Sequence, residues 1–367
     1  MLTASPPSFA TPPGGPAPAP EAAGHGTGAQ GLVGDIGGTH ARFGWLNRHG
    51  HIDHVRTLRV ADHSGPASAV RAYLSEISGL RSEPAAPLQH AALALATTVS
   101  GDAVAMTNAH WRFSCAALQA ELGLRSLSVL NDFEALALAL PGLRPDQLRR
   151  HVALPMGAPN AAAPRLPLAV IGPGTGLGVA GVLPTARGWQ ALPGEGGHAT
   201  LSAADAFEAE LLAVVRRTQA HVSAERLLSG IGLPLLLQAV AAVLGQTAPE
   251  LDARQIVERG TALGAVAAAA AADPMDALCA RTLDVFCALL GGFAGNVALT
   301  LGARGGVFIG GGIVPRLGER FFASQFRARF EAKGRFQGYL QAIPTAVITD
   351  TLAALGGAAA AIAQAAD

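Results

Sequence analysis

The chain has 367 residues and a mass of 37.0 kDa, half of its residues are apolar, and 26 basic residues balance 26 acidic ones. That is length enough for two domains with a sizeable core. Neutral charge without a Lys/Arg cluster argues against nucleic acid or an anionic membrane as the main partner, and a single lysine, Lys333, weighs against Schiff-base and Walker-type lysine chemistry.

Residues 1–30 are rich in Pro, Ala and Gly, lack the basic start and apolar block of a signal peptide, and read as a disordered tail. Gly26, Gly28 and Gly31 spell G-x-G-x-x-G there, but no strand precedes them and no helix follows, so the match to a dinucleotide fingerprint is discarded. The first informative stretch is residues 32–42, LVGDIGGTHAR. An apolar strand ends in Asp35 and the pair Gly37–Gly38, which can adopt positive φ and so turn backbone N–H groups onto an anion. Asp35 can hold a cation or its water, and Thr39 and Arg42 add a hydroxyl and a guanidinium. A hairpin whose glycines only fix the turn is an equal reading.

Residues 41–47 pair as the next strand, and residues 54–60 form a third. Val70, Tyr73, Leu74, Ile77 and Leu80 recur at helical spacing, and a buried strand over 90–96 precedes a loop over 97–102. Ser114 caps a helix running to Leu122, and a buried strand over 127–130 delivers Asn131 and Asp132 to its carboxyl end. A helix over 133–140 follows, closed by Pro141 and Gly142. The pair therefore sits where open α/β sheets bind ligands, although spacing alone somewhat favours Asp132 as the mere cap of that helix.

The Pro-, Ala- and Gly-rich segment 143–167 crosses to a second unit. Residues 169–183, AVIGPGTGLGVAGVL, repeat the opening design of strand, glycine turn with Thr175, and strand. Two related α/β halves follow from that repeat. LPGEGGH presents Glu195 and His198 on a loop, a helix covers 207–217, and Ser223 caps a helix with Glu225 in its first turn, where a carboxylate can simply complement the dipole. Helices continue over 233–271 and 277–301; the alanine-dominated run 261–272 is short of the roughly 20 residues a membrane span needs, so none is expected. GVFIGGGIVPR, residues 306–316, is again a strand entering a glycine turn, where a ring or ribose can lie on the backbone. Helices over 321–336 and 352–366 flank a strand over 345–349. Cys115, Cys279 and Cys287 are odd in number and lack C-x-x-C spacing, which points to no disulfide framework, no zinc site and a reducing cytoplasm.

In this order VGDIGGTHAR, MTNAHW, VLNDF, GPGTGLG, LPGEGGH, HVSAERLLSG and FIGGGIVPR strongly resemble the bacterial ATP-dependent glucokinases of the hexokinase, actin and Hsp70 superfamily. The resemblance runs from Gly31 to the C-terminus. It implies an α/β fold of two related ribonuclease-H-like domains around a central cleft, the actin-like ATPase fold: residues 31–142 completed by a C-terminal helix over 350–367, and residues 143–349. It implies phosphorylation of glucose at the 6-hydroxyl by ATP with Mg²⁺, the entry step of glycolysis, in a cytoplasmic homodimer. Position by position, Asp132 matches the catalytic base, and Asn131, Asp132, Gly176, Glu195, His198 and Glu225 match the sugar site. Gly34, Asp35, Ile36, Gly37, Gly38 and Thr39, then Gly174, Thr175 and Gly176, match the phosphate loops. Gly310, Gly311 and Gly312 match the adenosine loop, and Asp35 matches the position that holds Mg²⁺ through water. Pro173 departs from the pattern by removing an N–H from the second phosphate turn. A sugar-sensing regulator on the same fold, another hexose, or polyphosphate as donor remain alternatives at this point.

Overall fold

A computed structural model describes residues 30–80, 87–151, 165–262 and 273–366. The expected tail up to residue 29, most of the 143–167 crossover and most of the alanine run lie outside them. The chain opens with the antiparallel meander β1 (Gly31–Ile36), β2 (His40–Leu46) and β3 (Ile52–Arg59), followed by α1 (Pro66–Glu76) and β4 (His90–Leu95). A small hairpin, β5 (Ala103–Ala105) and β6 (Arg112–Ser114), leads into α2 (Cys115–Glu121), β7 (Ser126–Asn131) and α3 (Asp132–Ala139). These strands form a sheet of order β3-β2-β1-β4-β7, with β1, β4 and β7 parallel.

The second sheet contains β8 (Leu148–Arg150), β9 (Leu168–Pro173), β10 (Leu177–Thr185) and β11 (Gly188–Leu192). Four helices follow: α4 (Ala206–Arg216), α5 (Ala224–Leu227), α6 (Leu233–Val243) and α7 (Ala253–Ala262). Then come α8 (Pro274–Leu301), β12 (Gly306–Ile309), α9 (Val314–Leu317), α10 (Glu319–Ala323), α11 (Phe326–Glu331), α12 (Gln337–Gln341), β13 (Thr345–Ile348) and α13 (Ala353–Ala366). Its order is β11-β10-β9-β12-β13-β8. β9, β10 and β11 repeat the β1–β3 meander, and β12 and β13 add in parallel as β4 and β7 do. The duplication read from the two glycine turns is therefore present at the level of whole sheets.

Register places the site. Ile36, Leu95 and Asn131 stand side by side, so the residues following β1, β4 and β7 emerge at one edge. Ile171 pairs with Ile309 in the same way, bringing the turns after β9 and β12 together. One apolar cluster joins the sheets: Val33 and Ala92 from the first meet Val170, Ala180 and Phe308 from the second, with α3 and α13 between them. The two helices come close because Gly357 of α13 faces the Ala135 carbonyl of α3.

Several expectations shift for physical reasons. β7 is half-buried along its whole length because it is an edge strand. The single helix expected over 321–336 is divided: α10 ends at Ser324, whose hydroxyl turns back onto the Phe321 carbonyl, and Gly334 takes a left-handed φ of 55°. Leu80 lies beyond α1 and is half exposed. β5, β6, β8 and β11 are short strands whose pattern did not stand out in the sequence. α8 has the length and apolar composition of a membrane span, but it is the core helix of the second unit, packed by α6, α7 and α11. Among the described residues all three cysteines are free thiols, Cys279 and Cys287 buried.

Candidate active site

The turn between β1 and β2 is closed by the Gly37 N–H, which donates to the His40 carbonyl at 2.9 Å. The N–H groups of Gly38 and Thr39 donate to no acceptor among the described residues. The turn between β9 and β10 has the same construction. Gly174 N–H donates to the Gly176 carbonyl at 2.9 Å and Leu177 N–H to Glu225 Oε2 at 2.8 Å, while those of Thr175 and Gly176 have no acceptor among the described residues. Each turn thus exposes two consecutive donors, the arrangement that cradles an anion.

The glycines serve this differently from the sequence-based expectation. None of Gly37, Gly38, Gly174 and Gly176 takes a left-handed φ; in these turns only Gly311 does, at 75°. At Gly38 and Gly176 close approach is the reason instead, whereas Gly37 and Gly174 have room for a Cβ. A Cβ on Gly38 would stand 2.6 Å from the Asn108 carbonyl oxygen, and one on Gly176 would overlap the Glu225 carboxylate. Pro173 costs neither turn donor: it is buried at the end of β9, upstream of the open N–H groups, and its carbonyl accepts from Ile313 N–H at 3.1 Å. Gly310 N–H donates to the Ile171 carbonyl at 2.8 Å, so residues 310–312 lie directly beside this second turn.

At the edge of the first sheet, Asn131 rather than Asp132 caps α3. Its Oδ1 accepts from Phe133 N–H at 2.9 Å and Glu134 N–H at 3.4 Å, while its Nδ2 donates to the Thr97 carbonyl at 3.1 Å. Asp132 is thereby released from the capping role and accepts from the shared Phe133 N–H at 3.0 Å. Burial, reinforced by the Asp35 charge and opposed by hydrogen bonds from the helix start, lifts its carboxyl to about 6. Burial also raises Asp35, against the Arg42 guanidinium at 3.2 Å. Arg42 additionally donates to the Thr351 carbonyl at 3.4 Å, so it braces the hairpin against the start of α13.

The remaining candidates converge from the second sheet. Ser223 caps α5 as expected, accepting from Arg226 N–H. Glu225 does more than complement a dipole: its carboxylate reaches the second turn and lies 3.8 Å from His198 Nε2. Glu195 bridges to Val179 in β10, and its Oε1 accepts from Thr98 Oγ1 of the first unit at 2.7 Å. Because Thr97 holds Asn131, the loop after β4 ties Glu195 to the Asn131–Asp132 pair. Every residue expected at the sugar and phosphate sites lies in this one neighbourhood, whereas Lys333 is remote, donating to the Gly292 carbonyl and Asn296 on α8.

Four contributors escaped sequence reasoning. Thr97 and Thr107 share a hydrogen bond of 3.0 Å, Thr98 holds Glu195, and Asn108 covers Gly38. All lie on or beside the small β5–β6 hairpin. The only trace of that hairpin in the sequence was the motif MTNAHW, which carries no charged group to flag it.

The family model described as Glucokinase matches residues 32–365. The glucokinase of Paramagnetospirillum magneticum is 47% identical over 332 residues, covering 89% of this chain and 96% of that protein. That of Aromatoleum aromaticum is 49% identical over 332 residues, covering 90% and 94%. The crystal structure of a glucokinase from an Antarctic psychrotroph superposes with a TM-score of 0.79 at 36% identity, covering 91% of this chain and 98% of that one. A family model that spans nearly the whole chain and relatives 47–49% identical over most of it show that the chain belongs to the glucokinase family.

Proposed function

We infer that this chain is a glucose kinase that transfers the γ-phosphoryl group of ATP to the 6-hydroxyl of glucose. ATP-dependent glucose phosphorylation is the activity of its family, and one observation carries that activity onto particular residues. Asp132 is a half-buried carboxylate with a pKa of about 6, spared from helix capping, on a helix that touches both β9 and β10. The shared strand order of the two sheets supports the finer fold assignment, paired ribonuclease-H-like units around a cleft. Residues 31–142 with the C-terminal helix form one unit and residues 143–349 the other.

In this reading Glu195, His198 and Glu225 pair with sugar hydroxyls, and the one Asn131 amide hydrogen not engaged by Thr97 adds a donor. Asp132 accepts the 6-hydroxyl proton as that oxygen attacks phosphorus in line. The N–H groups of Gly38, Thr39, Thr175 and Gly176 offset charge on the phosphates, and residues 310–312 carry the adenosine. Mg²⁺ fits the donor set: no cluster of three or more ligand side chains exists among the described residues, and Mg²⁺ is typically held by one or two carboxylates plus phosphate oxygens and water. Asp35, a carboxylate with raised pKa beside a second carboxylate, would hold it. Bound there, the ion supplies positive charge to the phosphate oxygens.

An ADP-release assay over a hexose panel, with ATP and polyphosphate as donors, tests this reading. Glucose with ATP is expected to exceed hexoses that lack or invert a bound hydroxyl by at least about a hundredfold in kcat/KM, since each mismatch leaves a polar group unpaired. No turnover with any hexose would favour a sugar sensor.

A further inference from the structure

The glycines flanking the second turn are not explained by phosphate binding. Gly172 and Gly178 are register partners across β9 and β10, directly beneath residues 173–177. Their bare backbones face the ring of Phe133: a Cβ on Gly178 would overlap its Cδ2 and Cε2, and one on Gly172 its Cζ and Cε1. One turn along α3, Leu136 does the same at the adenosine loop, where a Cβ on Gly310 would stand 2.9 Å from Leu136 Cδ2. Positions i and i+3 of a helix share a face. α3 therefore docks one face onto glycines of both nucleotide-side loops, while Gly357 of α13 meets the Ala135 carbonyl of the same helix. Asp132, the residue before Phe133, begins this helix.

We propose that Phe133 is a positioning residue for phosphoryl transfer: its ring, seated in the notch formed by Gly172 and Gly178, sets the Asp132 carboxylate against the second phosphate turn. This rests on the glucose kinase reading given above. The ring makes no polar contact and need touch neither substrate, yet it fixes the separation between base and phosphate donors, which belong to different sheets. A displacement on the order of 1 Å at such a junction can cost about a hundredfold in rate. The notch also accounts for two glycines in GPGTGLG by shape rather than by φ, since neither takes a left-handed conformation.

Phe133→Ala, Phe133→Leu and Gly178→Ala, assayed beside the wild type, provide the test. Phe133→Ala is expected to lower kcat by about 10- to 100-fold with the KM values for glucose and ATP within about threefold of wild type, and Phe133→Leu to fall between them. Gly178→Ala, which pushes the ring out of its seat, is expected to lower kcat similarly. In the double variant Phe133→Leu/Gly178→Ala the added methyl occupies space the ring has left, so its kcat is expected to exceed the product of the two single effects. Circular dichroism and glucose binding establish that each variant is folded. A folded Phe133→Ala enzyme with kcat within twofold of wild type, or strictly multiplicative effects in the double variant, would overturn the proposal. Absence of turnover in the wild type would instead overturn the kinase reading itself.

Discussion

Replacing Asp132 with asparagine is expected to lower kcat by about 10²- to 10⁴-fold, the range that a positioned general base contributes. Glucose binding measured by calorimetry should weaken far less, because Glu195, His198 and Glu225 retain their groups and asparagine can still pair with a hydroxyl. Loss of the fold is not the expected route. The cap of α3 is Asn131, so the helix start stays intact. Burial and the Asp35 charge also make ionised Asp132 a cost to the native state. Its folded pKa, about 6, lies above the ordinary aspartate value of 3.8, so between these values the native chain binds more protons and stability falls as pH rises. At pH 7 the neutral asparagine is therefore expected to give a Tm at or above that of the wild type. Near-normal turnover in this variant would show that another group takes the proton.

A pair of substitutions in α13 is expected to act in opposite directions. Gly357→Ala places a methyl group where the Ala135 carbonyl of α3 already stands, and backbone cannot rotate away as a side chain can. The two helices must separate in the layer that joins both sheets, with a cost of about 2–3 kcal/mol, typical of overpacking. The intrinsic helix preference of alanine returns up to about 1 kcal/mol, too little to cancel this. Gly356, its neighbour, is exposed and has nothing within 4 Å of an added Cβ, so Gly356→Ala keeps only the gain. Thermal unfolding of both variants should show Tm falling by several degrees for the first and rising slightly for the second. Equal shifts would contradict the close approach of α3 and α13.

The elements that were legible in the sequence are those with long apolar periods or turn chemistry. β1, β2, β9 and β10 follow from apolar runs broken by glycine turns, and α8 from its buried length. The duplicated sheet order was foreshadowed by the likeness of LVGDIGGTHAR and AVIGPGTGLGVAGVL. The strands β8 and β11 were missed because they are short edge strands, β11 following β10 across a tight turn and β8 placed by β13 far along the chain. At the site, Asp132 was visible as a carboxylate at a strand end, but its freedom from capping depends on where the Asn131 amide points. The roles of Thr98 and Phe133 arise from contacts across 97 residues and between sheets, which local pattern does not encode. Positive φ was expected at Gly37 and Gly38 and neither takes it; at Gly38, as at Gly176, a close neighbour excludes a Cβ instead.

The most direct measurement of the central claim is the pH dependence of the apparent kcat/KM for glucose with ATP and Mg²⁺ held well below saturation, which reports on the free protein. Asp132 must be ionised to accept the proton, and its carboxyl titrates at about 6 in the free protein. The account predicts an acid limb of unit slope with a midpoint near pH 6, kcat/KM at pH 5 about tenfold below the neutral plateau, and loss of that limb from the residual activity of Asp132→Asn. A wild-type profile that stays flat from pH 5 to pH 8, or an acid limb that persists unchanged in Asp132→Asn, would contradict it.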